Sequence, residues 1–244
     1  MPFELSVLKS NLRVSGLNVN YTYETGSTNA DLINDVSAAS GSVMIAGKQN
    51  AGRGRMQRAF ASPDGGLYMS VLFRNIRAED ALAFTPRAAV AVALAIERIS
   101  GRRTGIKWVN DVLIEGRKVC GILAEAVTRR TMDMVLGIGV NVAEPEGGFP
   151  EELRGIAGAV FKNPPEFARE KLAACILNSL FDDGLDVYSE YVSRSVVIGR
   201  NITVHRAGGS YAAKALEIDR DYRLIIERDR RCEALNSGEV SIRL

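Results

Sequence analysis

The chain has one histidine and one tryptophan, and its three cysteines, Cys120, Cys175 and Cys232, lie far apart. That spacing gives neither a disulfide framework nor the close pairs of a zinc site, so the cysteines read as structural thiols. His205 stands in the alternating run Asn-Ile-Thr-Val-His-Arg near the C-terminus. A strand-surface histidine argues against a serine–histidine hydrolase. No run approaches the ~18 apolar residues of a membrane span, and Met-Pro-Phe-Glu-Leu-Ser is not the start of a signal peptide; a cytoplasmic protein without a membrane partner is expected. Charge of one sign is also scarce, since 31 basic residues face 29 acidic ones for a net charge of +2. Nucleic-acid binders usually carry a broadly basic face, so no nucleic-acid partner is expected and any anion binding has to be local. There is no internal repeat or low-complexity stretch.

What is present is enough apolar material, 46% of 244 residues, for one large domain or a catalytic domain with a small appendage. Residues 48–58 read Lys-Gln-Asn-Ala-Gly-Arg-Gly-Arg-Met-Gln-Arg. Gly52 and Gly54 are expected to reach positive φ and let the backbone approach a ligand, while Arg53, Arg55 and Arg58 offer planar donor forks for carboxylate or phosphate. Such a cradle suits an enzyme that joins an acid to a nucleotide.

Capping residues in Ser27-Thr28-Asn29-Ala30-Asp31 predict a helix start, with Asp31 three after Thr28. Apolar runs at 43–46 and 67–73 predict buried strands on either side of the arginine loop. Thr85-Pro86 predicts the N-cap and first turn of a buried helix reaching Ile99. Three strands are expected at 106–114, 119–127 and 132–142, paired antiparallel, with Glu115-Gly116-Arg117 as a hairpin turn. One or two amphipathic helices broken near Gly184 follow over 167–193. From Val196 onward, short alternating runs at 202–204, 212–218, 224–227 and 240–244, separated by Gly208-Gly209, Asp219-Arg220-Asp221 and Ser237-Gly238, predict a small β-barrel of about five strands.

The ordered set Ser27-Thr28-Asn29, the Gly-Arg loop, Lys107-Trp108-Val109-Asn110-Asp111, the run Arg117 to Glu125 and Gly137-Ile138-Gly139-Val140-Asn141-Val142 closely resembles biotin protein ligases. The likeness is strong over 20–145 and resumes weakly at 237–243. It implies an α+β fold: a class II aminoacyl-tRNA synthetase-like catalytic domain over 1–195, with a mixed sheet backed by helices, then an SH3-like barrel over 196–244. It also implies a two-step reaction in which biotin and Mg-ATP give biotinyl-5′-AMP and pyrophosphate, and a lysine of a biotin carboxyl carrier domain then takes the biotin and releases AMP. A homodimer through the catalytic sheet belongs to the same expectation.

The resemblance assigns roles residue by residue. Ser27, Thr28, Asn29, Gln49, Gly52, Gly54, Tyr68 and Gly121 fall to the biotin pocket, and Arg53, Arg55 and Lys118 to the activated carboxyl and phosphate. Arg58, Lys107, Asn110, Gly139 and Asn141 join Arg53 and Arg55 at ATP. Asp111 supports Lys107 and Asn110, and the metal ligands stay open because Val109 replaces the family's usual proline. Phe60 stands where tryptophan is frequent and is expected to cover the ligand, while Glu239 and Arg243 are assigned to nucleotide or carrier. The loop is expected to be disordered without ligand and ordered with it, since acyl phosphates need shielding from water. A lipoate-type ligase would carry an Arg-Arg-x-Ser-Gly-Gly-Gly stretch and a following histidine, which are absent. A biotin-sensing regulator would need a DNA-binding domain of roughly 60 residues ahead of Ser27, and the sequence there is too short for one.

Overall fold

Strand alternation sorts the residues of the largest sheet onto two unlike faces. In the computed structural model, which describes residues 2–128, 130–206, 209–236 and 241–243, this sheet comprises β1 (Asn18–Thr25), β2 (Ser42–Gln49), β3 (Leu67–Ile76), β4 (Gly105–Lys107), β5 (Asp111–Ile114), β6 (Arg117–Thr128) and β7 (Met132–Val140). Their order is β1-β2-β3-β7-β6-β5-β4, with β1 and β2 parallel and the other pairs antiparallel. Leu67, Met69 and Val71 of β3, Cys120 and Ile122 of β6, and Leu136, Ile138 and Val140 of β7 belong to the main core. With a side-chain period of two, Tyr68, Ser70, Gly121, Leu123, Glu125, Gly137 and Gly139 must face the other way.

Helices cover the core face. α3 (Phe84–Ser100) buries Ala88 to Ala93, Ala95 and Ile96, and small side chains let it nestle between the sheet and α4 (Ala168–Leu180). α1 (Leu5–Asn11) packs on α4. α2 (Thr28–Asn34) lies on the opposite face, where Leu32 joins Leu72 and Val135 in a separate small cluster. Burial of the larger of these side chains, Val90, Val92, Ile96, Leu32, Leu72 and Val135, contributes on the order of 1.5–3 kcal/mol each.

α5 (Val187–Ser193) leads into a second sheet of β8 (Asn201–Arg206), β9 (Gly209–Ile218), β10 (Leu224–Arg228), β11 (Arg231–Leu235) and β12 (Ser241–Arg243). Among the described residues it runs β11-β10-β9-β8-β12 and is antiparallel throughout. The second sheet is tied to the rest of the chain by side chains: Trp108 Nε1 donates to the Tyr222 carbonyl at 2.9 Å and the hydroxyl of Tyr188, on α5, to the Ile218 carbonyl at 2.8 Å. His205 lies on β8 as expected, with Nδ1 2.6 Å from Ser210 Oγ.

Several expectations need correction. Ser27, not Thr28, caps α2, accepting from the Ala30 N–H, and Asp31 instead accepts from the Thr25 hydroxyl. α3 begins at Phe84 because a 3-10 turn over Ala78–Ala83 feeds directly into it, so Thr85 caps nothing. The strand expected over 106–114 is a hairpin, β4 and β5, because Lys107 pairs with Asp111 and the residues between form a turn containing a cis Trp108–Val109 peptide. Arg117 already belongs to β6; the tight turn is Glu115-Gly116, both at positive φ. The break expected near Gly184 is the gap between α4 and α5.

Candidate active site

The outward face of β3, β6 and β7 forms the floor of a cavity whose depth comes from missing side chains. Gly121 of β6 pairs with Gly139 of β7, and Gly137 of β7 pairs with Ser70 of β3. A Cβ on Gly139 would lie 2.4 Å from the Phe60 ring, one on Gly121 2.8 Å from that ring, and one on Gly137 2.3 Å from Asn29 Oδ1. Any side chain there would fill the cavity or push its lining apart. Tyr68 closes the floor; its hydroxyl donates to the Pro63 carbonyl at 2.7 Å, and burial pushes its pKa well above the usual phenol range.

The inner end of the cavity is a hydrogen-bonded relay. Gln49 Oε1 accepts from the Thr28 backbone N–H at 2.9 Å, and Gln49 Nε2 donates to Ser62 Oγ at 2.9 Å. Thr28 Oγ1 is 2.7 Å from Ser70 Oγ, Ser70 donates to Asn29 Oδ1, and Asn29 Nδ2 donates to Glu125 Oε2 at 2.7 Å. Thr28, Asn29 and Ser70 are buried, so each unmet partner would cost roughly 1–3 kcal/mol. Their mutual bonding explains why they tolerate burial.

The second wall is the loop from β2 to β3, folded back on itself. Gly54 N–H donates to the Arg58 carbonyl at 2.7 Å and Phe60 N–H to the Gly52 carbonyl at 2.9 Å. Neither glycine has the expected positive φ; Met56 and Gln57 adopt it instead. Gly52 is required for close packing, since a Cβ would meet the Phe60 carbonyl at 2.5 Å, and Gly54 is extended at φ −114°. Arg53 reaches Glu125 at 3.2 Å and Arg55 reaches Asn110 Oδ1 at 3.2 Å. Burial lowers the Arg55 pKa, opposed by Asp111 and Tyr191, and the guanidinium stays charged. Arg58 also lines the cavity.

Lys118 faces the cavity because of an irregularity in β6. Val112 pairs with Cys120 while Leu113 pairs with Lys118, so Val119 is an extra residue opposite β5. In regular alternation Lys118 would share the core face with Cys120 and Ile122. The bulge reverses that parity, sends Val119 into the core and turns Lys118 outward. Its Nζ is 2.6 Å from Asp111 Oδ1, a charge contact, and 5.8 Å from the centre of the Phe60 ring.

The β4–β5 turn is pinned from both sides. Asn110 exchanges bonds with Ile122, through Nδ2 to its carbonyl at 3.0 Å and through its own carbonyl from the Ile122 N–H at 3.0 Å. Below it, the Tyr191 hydroxyl holds the Val109 carbonyl at 2.9 Å. This places Lys107, Asn110 and Asp111 beside Lys118, and Trp108 and Ile242 complete the lining.

Of the predicted residues, Ser27, Thr28, Asn29, Gln49, Arg53, Gly54, Arg55, Arg58, Phe60, Tyr68, Lys107, Asn110, Asp111, Lys118, Gly121 and Gly139 share this one cavity. Gly139 is at the glycine floor next to Gly121. Asn141 is not brought in; its Nδ2 holds the Gly158 carbonyl at 3.0 Å, and its backbone bridges Val119 and Val160. Gly52 shapes the loop from behind. Glu239 lies outside the described residues, and Arg243 is a β12 residue paired in register with Thr203. Sequence reasoning missed Ser70, Glu125, Gly137 and Trp108 as site residues. A lone serine within Leu67–Phe73, and the i, i+2, i+4 series Gly121, Leu123, Glu125, were the available signals.

The sequence pattern of the biotin/lipoate A/B protein ligase family matches residues 20–141. The bifunctional ligase/repressor BirA of Bacillus subtilis is 33% identical over 235 residues, covering 89% of this chain and 71% of the relative. The biotin–[acetyl-CoA-carboxylase] ligase of Mycobacterium tuberculosis is 32% identical over 239 residues, covering 89% and 86%. Among solved structures, the biotin protein ligase from Aquifex aeolicus in complex with biotin and ATP superposes with a TM-score of 0.77 at 25% identity, over 93% of this chain and 98% of that one.

Proposed function

The chain belongs to the biotin/lipoate A/B protein ligase family, and from that premise we propose that the cavity described above is where it joins biotin to AMP. The protein is a biotin–[acetyl-CoA-carboxylase] ligase: it activates biotin with ATP to biotinyl-5′-AMP, then transfers biotin to a lysine of a biotin carboxyl carrier domain. The observation that carries the site assignment is the meeting of Lys118, Arg53 and Arg55 above the glycine floor, with the polar relay at its inner end.

Activation brings two anions together. A biotin carboxylate oxygen attacks the α-phosphorus and pyrophosphate departs, and two unit charges 4 Å apart repel by roughly 4 kcal/mol at the effective dielectric of a protein surface. Lys118, a compact ammonium, sits where carboxylate and α-phosphate must converge and offsets that repulsion. Arg53 and Arg55 present forked donors to the same oxygens, so positioning and electrostatics carry the reaction without a covalent nucleophile. In the second step the uncharged ε-amine of the carrier lysine attacks the acyl carbon and AMP leaves. The bicyclic end of biotin lies against the glycine floor beside Phe60 and Asn29, whose side chains pack over Gly121 and Gly137, with its urea against the Thr28 and Gln49 end of the relay.

Arg58 and Lys107 hold the nucleotide phosphates. Among the described residues no three acidic, cysteine or histidine side chains converge to cage a metal. Asn110 and Asp111 offer one amide and one carboxylate oxygen, which fits a Mg²⁺ that arrives on the phosphates and keeps most of its ligands there. When bound, that ion neutralises phosphate charge.

We place the reaction in the cytoplasm, on residues 1–195, with residues 196–244 as an SH3-like domain that closes the cavity through Ile242. The test is to mix the protein with ATP, biotin and an isolated carrier domain of a biotin-dependent carboxylase and to follow carrier mass. Addition of one biotin is expected; an unmodified carrier, or modification only when lipoate replaces biotin, overturns the reading.

A further inference from the structure

Glu125 is not among the residues that line the cavity, yet one of its oxygens joins the two halves of the site. Oε2 accepts from Asn29 Nδ2 at 2.7 Å and from Arg53 at 3.2 Å. We infer that Glu125 is a positioning residue that both fixes the direction of the hydroxyl relay at the biotin pocket and latches the arginine loop to that pocket.

The first part follows from donor and acceptor bookkeeping. An ionised carboxylate only accepts, so Asn29 must turn its amide nitrogen toward Glu125 and its Oδ1 toward Ser70. Ser70 then has to donate to Asn29, as the geometry has it. With its one hydrogen spent, Ser70 can only accept from Thr28, 2.7 Å away. Thr28 Oγ1 also lies 3.1 Å from Gln49 Oε1, a rival acceptor for its one hydrogen; given to Ser70 at the shorter 2.7 Å, that hydrogen leaves Thr28 with lone pairs for the cavity. A urea N–H is a donor, so the relay is set to accept it before the ligand arrives. A neutral side chain at 125 could donate as well as accept, and Asn29 could reverse.

The second part follows from the loop's attachments. Its far end is tied through Ser62 to Gln49, which also holds Thr28, and its near end through Arg53 to Glu125, which also holds Asn29. Both ends of the loop are thus fastened to residues of the pocket. Loss of the Glu125 charge releases Arg53, leaving the near end to the backbone bonds of Asn50 and Ala51 with Thr25 and Gly26, and opens a path for the acyl adenylate to escape.

This inference rests on the ligase reading, and Glu125→Gln tests it separately, since the unaltered protein must first biotinylate the carrier domain; if it does not, that reading fails and Glu125 is not at issue. Given an active wild type, Glu125→Gln is expected to weaken biotin binding about tenfold by calorimetry without ATP, as loss of a charge-assisted bond implies. It should also raise labelling of lysines on a bystander protein. In the Arg53→Gln background the same change should add nothing to bystander labelling while still weakening biotin binding, a split that a general packing defect would not give. Glu125→Asp, which keeps the charge, should recover part of the biotin affinity and carries the test if the glutamine variant fails to fold. Wild-type affinity and wild-type bystander labelling in a folded Glu125→Gln protein overturn the inference, and so does full additivity with Arg53→Gln.

Discussion

The two walls of the cavity are built on opposite principles. The sheet wall subtracts: three glycines remove side chains, and two of its polar groups, Ser70 and Tyr68, are buried and committed to protein partners. The loop wall adds: Arg53 keeps 46% of its side chain exposed and its carboxylate partner is shared. Shape is therefore encoded in the stable part of the molecule and charge in a part held by few bonds, the usual source of moving lids. Substitutions in the sheet wall should register in folding and biotin affinity together, whereas substitutions among the cations should change chemistry and leave folding alone.

Lys118 tests this contrast most severely, because it grows from the sheet yet acts with the loop. Lys118→Ala is expected to slow adenylate formation at least a hundredfold, about 3 kcal/mol of transition-state stabilisation, with little change in melting temperature. Pyrophosphate release in the presence of biotin measures it, and a rate near wild type breaks the assignment. Gly137→Ala comes next. Its Cβ would collide with Asn29, itself held by Ser70 and Glu125, so roughly 1–3 kcal/mol of stability and most of the biotin affinity should go together. Gly54→Ala, on the loop, meets only the Arg58 carbonyl at 3.5 Å and should shift stability by no more than about 0.5 kcal/mol. Equal damage from the two exchanges, read in denaturant titrations, would erase the distinction between the walls.

Arg55→Gly should have a smaller effect on folding still and a selective one on chemistry. The guanidinium donates to Asn110 Oδ1 at 3.2 Å, and its removal opens the loop side of the cavity. Biotinylation of bystander lysines should rise several-fold while the melting temperature stays within a degree or two. Carrier selectivity equal to wild type would detach Arg55 from the shield.

How much of this was legible beforehand follows the same division. The alternating and apolar runs announced most strands of both sheets, though not the edge strands β1 and β11 nor helix α1, and the spacing of motifs announced which segments converge. Parity was the hidden quantity. Nothing local in Arg117-Lys118-Val119-Cys120 reveals that Val119 is an extra residue, yet that one insertion decides whether Lys118 faces the cavity or the core. The hairpin at 105–114 was missed although Asn110-Asp111 is a turn signal, because the buried apolar residues on either side, Ile106 and Val112, read as one strand. Gly52 and Gly54 were assigned a conformational role because glycine suggests positive φ, whereas Gly52 answers to steric crowding that only tertiary contacts create. Asn141 resembles a ligand residue in its motif, but its amide is spent on Gly158.

The last expected effect lies where the walls meet. Tyr68 rises from the sheet floor and donates to Pro63 at the far end of the loop, so Tyr68→Phe removes one buried bond and should cost about 1 kcal/mol near neutral pH. Burial raises its pKa in the folded protein above the ordinary value near 10, so in alkali the native state retains a proton that the unfolded chain has lost. Its contribution is therefore complete below pH of about 10 and declines as pH climbs above that value. The phenylalanine variant has no such proton to retain and should lose less stability between pH of about 9 and 11 than the wild type, with Cys120, Tyr191, Tyr222 and Tyr21, whose pKa values burial also raises, supplying the remaining slope. Melting curves across that range decide the matter: parallel pH profiles for the two proteins would mean that Tyr68 ionises as freely in the fold as in water, and that the floor of the cavity is wetter than its burial implies.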